Sequence, residues 1–389
     1  MYGGATVCAW YPITPSTSVA EAFEQYANRH RVDPECGRRR FAIIQAEDEL
    51  SAIGIVIGAG WNGARSFTAT SGPGISLMSE FLGLAYFAEI PAVVIDVQRA
   101  GPSTGMPTRT QQADLVSAAY ASHGDTRHVM LFPSTPRECF DFAAQALDLA
   151  DRLQTPILLM SDLELGMNDN LSEPLAWDDA RRYDRGKVLD AEDLDRAERF
   201  GRYLDVDGDG IGYRTYPGAH PSKGAFFTRG TSRDEYARYT ESPEAYVRNM
   251  DRLLKKWETA ATLVPKAEIS AKGQRVGIIY YGTSALPMQE ALDLLAEEGI
   301  RLDTMRIRAF PFGAEVYDFI ESHDFVFVVE QNRDAQMKSL LLTEGLVNPA
   351  GLISVLYYGG LSISADTIQA QVSEYFTEQK LPRLTQVKS

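Results

Sequence analysis

From about residue 41 the apolar positions alternate between short unbroken runs and longer stretches patterned on one face. "FAIIQA" is a short run with β-branched residues and predicts a strand; "EDELSAIGIVIGAGWNGA" predicts a helix that Gly63 ends. "RSFTAT" predicts a strand, "SGPG" a turn, and "ISLMSEFLGLAYFAE" a helix. "PAVVIDV", "HVMLF" and "PILLMSD" predict further strands, the last two separated by the helix "TPRECFDFAAQALDLADRL". Strands alternating with helices imply a parallel sheet wrapped by helices. This first unit covers 1–165. Residues 166–270 are polar, rich in Gly, Asp, Arg and Tyr, and weakly periodic, so they read as a connecting insertion. Its one clear helix is "SPEAYVRNMDRLLKKWETAATLV". There Lys255, Lys256 and Trp257 suit packing on a partner or another domain, although a solvated helix is the commoner outcome.

From residue 275 the alternation returns. "RVGIIYYG", "RLDTMRIR", "DFVFVVEQ" and "LISVLYYGG" predict strands, and "SALPMQEALDLLAEEG" a helix stopped by Gly299. The fold class is therefore α/β: two parallel-sheet domains, 1–165 and 271–389, joined by the irregular insertion. No internal repeat or low-complexity tract is visible.

Composition narrows the function classes. Hydrophobic residues make up 44% and charged residues 23% of 389, an ordinary globular balance. No apolar run reaches the roughly 18 residues of a membrane span, and the first residues lack the basic-then-apolar pattern of a signal peptide. These features predict a soluble, cytoplasmic protein without a membrane partner. The net charge of −15 disfavours nucleic acid. Cys8, Cys36 and Cys139 are scattered and fit neither a disulfide framework nor a metal or iron–sulfur spacing.

The candidate chemistry gathers where strands end. In "CAWYPITPSTS", Pro12 and Pro15 restrict Tyr11 and Thr14 to extended backbone. The segment follows the apolar run "ATVCAW" and precedes a helix beginning near Ser16. Ligands of parallel sheets bind at the carboxyl ends of strands, so Thr14 is a hydroxyl held rigidly where a ligand belongs. A stiff strand-to-helix turn with Ser16 as N-cap explains the same residues. In "QAEDEL", Glu47, Asp48 and Glu49 stand at a strand end and a helix start. Two acids suffice for capping; Glu49, ahead of an apolar helix face, is expected to point inward. In "TATSGPG", Ser71, Gly72 and Gly74 open a helix whose N–H groups suit an anion, and a tight turn serves that sequence equally. The loop "DVQRAGPSTGMPTRTQQADL" follows another strand and carries Arg99 and Arg109, residues suited to bidentate capture of a carboxylate. "DVDGDGIGYRTY" matches the first half of a calcium loop through Asp205, Asp207 and Asp209, but Tyr216 replaces the closing Glu. A full calcium site is not expected there, which leaves weak cation binding.

Together "YPITPSTS", "AEDELSAIGIVIGAGWNGARSFTATSGPGISLMSE" and "DVQRAGPSTGMPTRTQQADL" resemble the alpha subunits of 2-oxoacid:ferredoxin oxidoreductases, most closely the 2-oxoglutarate type. The likeness covers nearly the whole chain, including "DVDGDG" and "HPSKGAFFTRG". It implies a pyrimidine-binding thiamine diphosphate domain followed by a transketolase C-terminal-like domain. It also implies oxidative decarboxylation of a 2-oxoacid to an acyl-CoA with reduction of ferredoxin. A pyruvate or branched-chain 2-oxoacid enzyme shares the motifs, and a non-catalytic scaffold subunit is the alternative of a different class.

By the same resemblance, the beta subunit of a heterotetramer carries the magnesium-diphosphate site and a four-iron four-sulfur cluster, and CoA is the co-substrate. Consistently, "GDG" at 208–210 lacks the preceding strand and following asparagine pair of a magnesium-diphosphate motif, the next asparagine being Asn249. No metal ligand is therefore expected on this chain. The resemblance gives Glu49 the catalytic role at the pyrimidine nitrogen, with Glu47 as the alternative. It puts Tyr11, Pro12, Ser71 and Gly72 around the cofactor. Thr14 and Arg99 would bind the substrate, and Arg109 a second, distal carboxylate. The expected partners are a beta subunit, ferredoxin and a second copy of this chain. Family members carry a glycine- and alanine-rich helix, often with a fused domain, ahead of "YPITP". Because this sequence starts at "MYGGATVCAW", that domain is expected on a separate gamma chain or in a longer gene product.

Overall fold

The computed structural model describes residues 1–228 and 230–378. Arg229 of "HPSKGAFFTRG" and the last residues of the 271–389 unit lie outside them. The elements run β1 (Val7–Trp10), α1 (Thr17–His30), β2 (Ala42–Gln45), α2 (Glu49–Trp61), β3 (Ser66–Thr70), α3 (Gly72–Ala88), β4 (Ala92–Gln98), α4 (Leu115–Ala119), β5 (Val129–Leu131), α5 (Pro136–Leu153) and β6 (Pro156–Asp162). They continue with α6 (Leu163–Met167), α7 (Ala191–Arg196), α8 (Pro243–Leu263), β7 (Glu268–Ser270), β8 (Val276–Tyr281), α9 (Met288–Glu297), β9 (Asp303–Ile307), β10 (Ala309–Phe310), α10 (Ala314–Glu321), β11 (Phe325–Glu330), α11 (Gln336–Glu344), β12 (Leu352–Leu356) and α12 (Ala365–Glu378).

Two sheets form the α/β fold, in the orders β10-β5-β6-β4-β3-β1-β2 and β12-β11-β8-β9-β7. All pairs are parallel except the edge strands β10 and β7. Every residue of β3 and β6 is buried, as expected of parallel strands covered on both faces. The sequence gives no separate signal for β10. Ala309 and Phe310 pair with Leu131 and Met130, so the second half of the chain completes the first sheet. One apolar core accordingly joins Leu158 and Val94 of the first sheet to Tyr281 and Val328 of the second. Arg306 of β9 reinforces the junction with two 2.7 Å bonds to Glu138 of α5. Burial would raise the Glu138 carboxyl, but Arg306 and Ser134 hold it down at about 2.

The insertion is anchored more firmly than its sequence suggests. On α8, Lys255 is exposed, yet Lys256 and Trp257 are buried, which corrects the solvated-helix expectation. Trp257 meets Phe310 edge-on at 5.0 Å. Lys256 Nζ lies 3.0 Å from Glu89, the left-handed residue that ends α3. Glu89 also takes Arg252 on both oxygens and has Arg233 at 3.8 Å. Arg202 donates to the Glu89 carbonyl, Arg233 to that of Phe87, and the Tyr203 hydroxyl to that of Ala88. Four buried cations thus gather on one carboxylate and on the negative, unpaired carbonyl end of α3. Burial would raise the Glu89 carboxyl, but Arg252 and Lys256 hold it well below the usual carboxylate range.

The half-calcium sequence is also explained. Asp205 accepts backbone N–H bonds from Gly208 and Gly210, both at 2.9 Å. Lys187 Nζ lies 2.6 Å from Asp207, 2.8 Å from Asp209 and 3.0 Å from the Ile211 carbonyl. An ammonium therefore occupies the place a cation would take. Among the described residues no cluster of His, Cys, Asp or Glu is arranged to hold a metal. Millimolar calcium is expected to leave the melting temperature unchanged. A calcium-dependent rise in a thermal melt would contradict this assignment.

Candidate active site

The candidate residues lie at the carboxyl ends of four neighbouring strands. Thr14 follows β1, Glu47 to Glu49 follow β2, Ser71 follows β3 and Arg99 follows β4. In the sheet these strands stand in the order β4-β3-β1-β2, and the chain reverses its direction of travel across the sheet at β1. A crevice at such a reversal is the usual ligand site of open parallel sheets.

After β1, Tyr11, Pro12 and Thr14 are exposed and the Thr14–Pro15 peptide is cis. Ser16 precedes α1 but does not cap it. Its hydroxyl donates back to the Ile13 carbonyl at 3.1 Å, and Thr17 Oγ1 accepts from the Ile13 N–H at 3.1 Å. The turn is thus closed on itself and leaves Thr14 facing solvent. The backbone oxygen of Thr14 accepts from Arg99 Nη1 at 2.6 Å, so the structure joins the ends of β1 and β4.

After β2 the three acids separate. Glu47 is exposed, and Asp48 caps α2 by accepting from the Ser51 N–H at 2.7 Å. Glu49 turns inward and is only 5% exposed. Among the described residues no partner bonds its carboxylate. Glu49 packs on the first turn of α3, where a Cβ at Gly74 would collide with Thr70 Oγ1 and come 2.8 Å from Glu49 Cγ. Glycine is required here by close approach. Ser71 stands before that turn in extended conformation with its hydroxyl buried and unpartnered, as is that of Thr68.

The loop after β4 is clamped by the second half of the chain. Thr110 N donates to the Gly360 carbonyl at 3.1 Å and Gln112 N to that of Gln331 at 2.8 Å. Gln112 Nε2 reaches Asp162, at the end of β6, at 2.9 Å; Thr283 bonds the same carboxylate and takes Gln331 Nε2 at 3.0 Å. Burial raises the Asp162 carboxyl to about 6 against the bonds from Thr283 and Gln112. Arg99 is 8% exposed, whereas Arg109 is exposed, its stem against Gly360. The structure therefore brings Thr14, Glu49, Ser71, Gly72 and Arg99 to one edge, with Tyr11, Pro12 and Arg109 at its rim.

Sequence reading missed Asp96, Gln112, Asp114, Asp162 and the Gln331 cluster. The available signal was polar residues inside apolar runs: Asp96 in "PAVVIDV" and Asp162 in "PILLMSD" are buried on strands otherwise almost wholly apolar. An apolar cavity of about 410 Å³ beside Tyr2, Phe23, Phe140 and Trp177 contains none of the candidate residues.

These residues suit the pyrimidine end of thiamine diphosphate. An uncommitted buried carboxylate and orphaned hydroxyls offer polar contacts to such a ring.

Residues 1–192 match the family described as "Pyruvate flavodoxin/ferredoxin oxidoreductase, thiamine diP-bdg". The chain is 35% identical over 362 residues to the alpha subunit of 2-oxoacid:ferredoxin oxidoreductase 2 of Aeropyrum pernix, covering 89% of this chain and 54% of that protein. It is 34% identical to the 2-oxoglutarate synthase subunit KorA of Methanothermobacter thermautotrophicus, covering 85% and 83%. Among solved structures it is similar to the 2-oxoglutarate:ferredoxin oxidoreductase of Magnetococcus marinus with 2-oxoglutarate, coenzyme A and succinyl-CoA bound. That likeness has a TM-score of 0.84 and 30% identity, over 96% of this chain and 62% of that one. The chain thus spans less than two thirds of several of the proteins it matches.

Proposed function

This chain belongs to the 2-oxoacid:ferredoxin oxidoreductase alpha-subunit family, and from that premise we propose that it supplies half of a thiamine-dependent active site for oxidative decarboxylation of a 2-oxoacid, with 2-oxoglutarate as substrate. The observation that carries the reading is the convergence of Thr14, Glu49, Ser71 and Arg99 at adjacent strand ends, with the Glu49 carboxylate buried and uncommitted.

Bound thiamine diphosphate supplies the carbanion-stabilising chemistry that allows a 2-oxoacid to lose CO2. Glu49 holds a proton against the pyrimidine nitrogen, where a buried carboxylate without competing partners is most effective. Ser71, Tyr11 and Pro12 would border the ring, while Gly72 and Gly74 let Asp114, Thr70 and Glu49 pack on the first turn of α3 beside it. Arg99, fixed through the Thr14 carbonyl, pairs with the substrate carboxylate, and the Thr14 hydroxyl bonds the keto group. Arg109, on the rim, meets the distal carboxylate of a five-carbon diacid.

The other half of the site belongs to a beta subunit that brings magnesium, the diphosphate site and a four-iron four-sulfur cluster. The surface beside Glu49 is suited to such a partner. Helix α2 carries no charged residue after Glu49, and Leu50 on α2 and Leu77 on α3 are 40% and 54% exposed. CoA takes the acyl group and ferredoxin the electrons, in a heterotetramer containing two copies of this chain. Among the described residues no helix is long and apolar enough to cross a membrane, in keeping with a cytoplasmic site of action.

The test is anaerobic. The chain is co-expressed with a beta-type subunit and given 2-oxoglutarate, pyruvate or branched-chain 2-oxoacids with CoA, and viologen reduction is followed. Reduction with 2-oxoglutarate, weakened tenfold or more in KM by Arg109→Ala, is expected. Preference for pyruvate would overturn the substrate, and a stable complex inert to every acid would favour a scaffold subunit.

A further inference from the structure

Two aspartates that the proposed reaction does not use lie directly behind its substrate arginine. Asp96 is the fifth residue of β4 and is fully buried. Neither of its oxygens has an N–H or a hydroxyl partner. Asp114 stands at the N-cap position of α4 but leaves that helix uncapped, unusual for an aspartate there. Its carboxyl turns instead toward the sheet. A Cβ at Gly72 would lie 2.7 Å and 2.8 Å from its two oxygens, so it rests on the first turn of α3. Gln98 shares a face of β4 with Asp96, and its Oε1 accepts from the Asp114 N–H at 3.2 Å. Among the described residues Asp96 Oδ1 and Oδ2 and Asp114 Oδ2 are buried without a hydrogen-bond partner, and both residues stand at the start of α3, Asp96 opposite Thr70 in the β3–β4 pair and Asp114 at Gly72.

We propose that Asp96 and Asp114 share one proton and thereby hold the Arg99 loop against the first turn of α3, which makes both of them positioning residues for the substrate-binding arginine. The inference rests on the reading of this edge as a 2-oxoacid site. Its physical basis is that two desolvated carboxylates in contact cannot both be ionised. Burial and the neighbouring Asp114 raise the Asp96 carboxyl well above the carboxylate range, so Asp96 carries the proton and donates it. Burial also raises Asp114, to about 6, while Asp96 and Arg99 favour its charged form. Glu49 packs on the same first turn of α3 and Asp162 ends the neighbouring strand β6; the packed elements also carry Glu80 and Tyr86 on α3, Glu164 on α6, and Lys338 and Glu344 on α11. Arg99 is the cation that acts on Asp114. In the proposed arrangement Asp96 donates to Asp114, the Asp114 charge acts on Arg99, and Arg99 is pinned to the Thr14 carbonyl.

The sign of the pH effect follows. Above about 6 the Asp114 charge opposes the substrate carboxylate at Arg99; below it that opposition fades. The KM for the 2-oxoacid should therefore fall as pH drops from 7.5 to 5.5, with kcat following its own profile. In the assembled complex, Asp114→Asn should abolish this KM dependence. Asp96→Ala should raise KM about tenfold at pH 7.5, and Asp96→Asn, which keeps a donor toward Asp114, should restore it. A pH-dependent KM in Asp114→Asn, or equal KM values in the two Asp96 variants, would overturn the proposal. A second readout is independent of turnover. With ¹³C-aspartate in this chain, infrared spectra of the complex should show a protonated carboxyl persisting at pH 7.5 and missing in Asp96→Asn. Absence of that band in the wild type removes the pair while leaving the proposed reaction standing. Its presence in a complex that turns over no 2-oxoacid removes the reaction while leaving the pair.

Discussion

Glu49→Gln is expected to lower viologen reduction by the assembled complex by about 10²- to 10⁴-fold, the usual loss when a general acid–base group is removed. The substitution is close to isosteric, and it leaves a group that cannot gain and lose a proton in this range. Assembly should survive, because the carboxylate makes no bond that holds α2; that task falls to Asp48 through the Ser51 N–H. Glu47→Gln serves as the control. Its side chain is exposed on the same turn, so its activity should stay within a factor of two. A fall caused by Glu47→Gln rather than by Glu49→Gln would move the catalytic role one step along the strand end. Equal activity in both variants would remove acid–base work from this turn altogether.

Replacement of Glu89 should have the largest effect on stability. Its side chain is fully buried and, among the described residues, is the only acid on which Arg252, Lys256 and Arg233 converge. Removing one partner of a buried ion pair costs about 3–5 kcal/mol, because the other partner stays desolvated and unpaired. In Glu89→Gln the same penalty falls on a cluster of cations, so the cost should reach that range even though the amide retains hydrogen-bonding capacity. Chemical denaturation measures it directly. The loss should concentrate where the insertion docks, so that proteases cut within 166–270 before the first sheet opens. The stabilising charge is present wherever Glu89 is ionised. Since its carboxyl is held far below the ordinary range, the contribution persists above the unfolded carboxylate range and is lost only as strong acid protonates the group. A variant with wild-type stability would mean that the α3 carbonyl end alone holds the cations.

How legible this was in the sequence differed by element. The strands of both sheets other than β7 and β10 follow from short apolar runs, the main helices from stretches patterned on one face, and the candidate site follows because polar residues cluster where the runs stop. Besides the exposed β7, whose "EIS" is no apolar run, three features did not show. The two-residue strand Ala309–Phe310 is too short to carry a period, and only its partner Met130–Leu131 defines it. Lys256 looks like a solvated lysine in one dimension, since its acid, Glu89, lies far away in the chain. Separation in the chain also hid the aspartate pair: Asp96 reads as a polar interruption in a strand and Asp114 as an N-cap, and only the folded chain sets both at the start of α3. The calcium-like loop, where no full calcium site is expected, shows the same effect of a distant partner. Lys187, from a separate segment, pairs with Asp207 and Asp209, and Asp205 is taken by backbone N–H groups.

The central claim is that this chain holds half of a shared cofactor site, and equilibrium binding of thiamine diphosphate with magnesium tests it most directly. The titration compares this chain alone, the beta-type subunit alone and the reconstituted complex, with wild-type sequence and with Glu49→Ala. Tight binding only by the complex, weakened by Glu49→Ala, is the predicted result. Binding by this chain alone as tightly as by the complex, or a complex whose affinity does not respond to Glu49, would contradict the account.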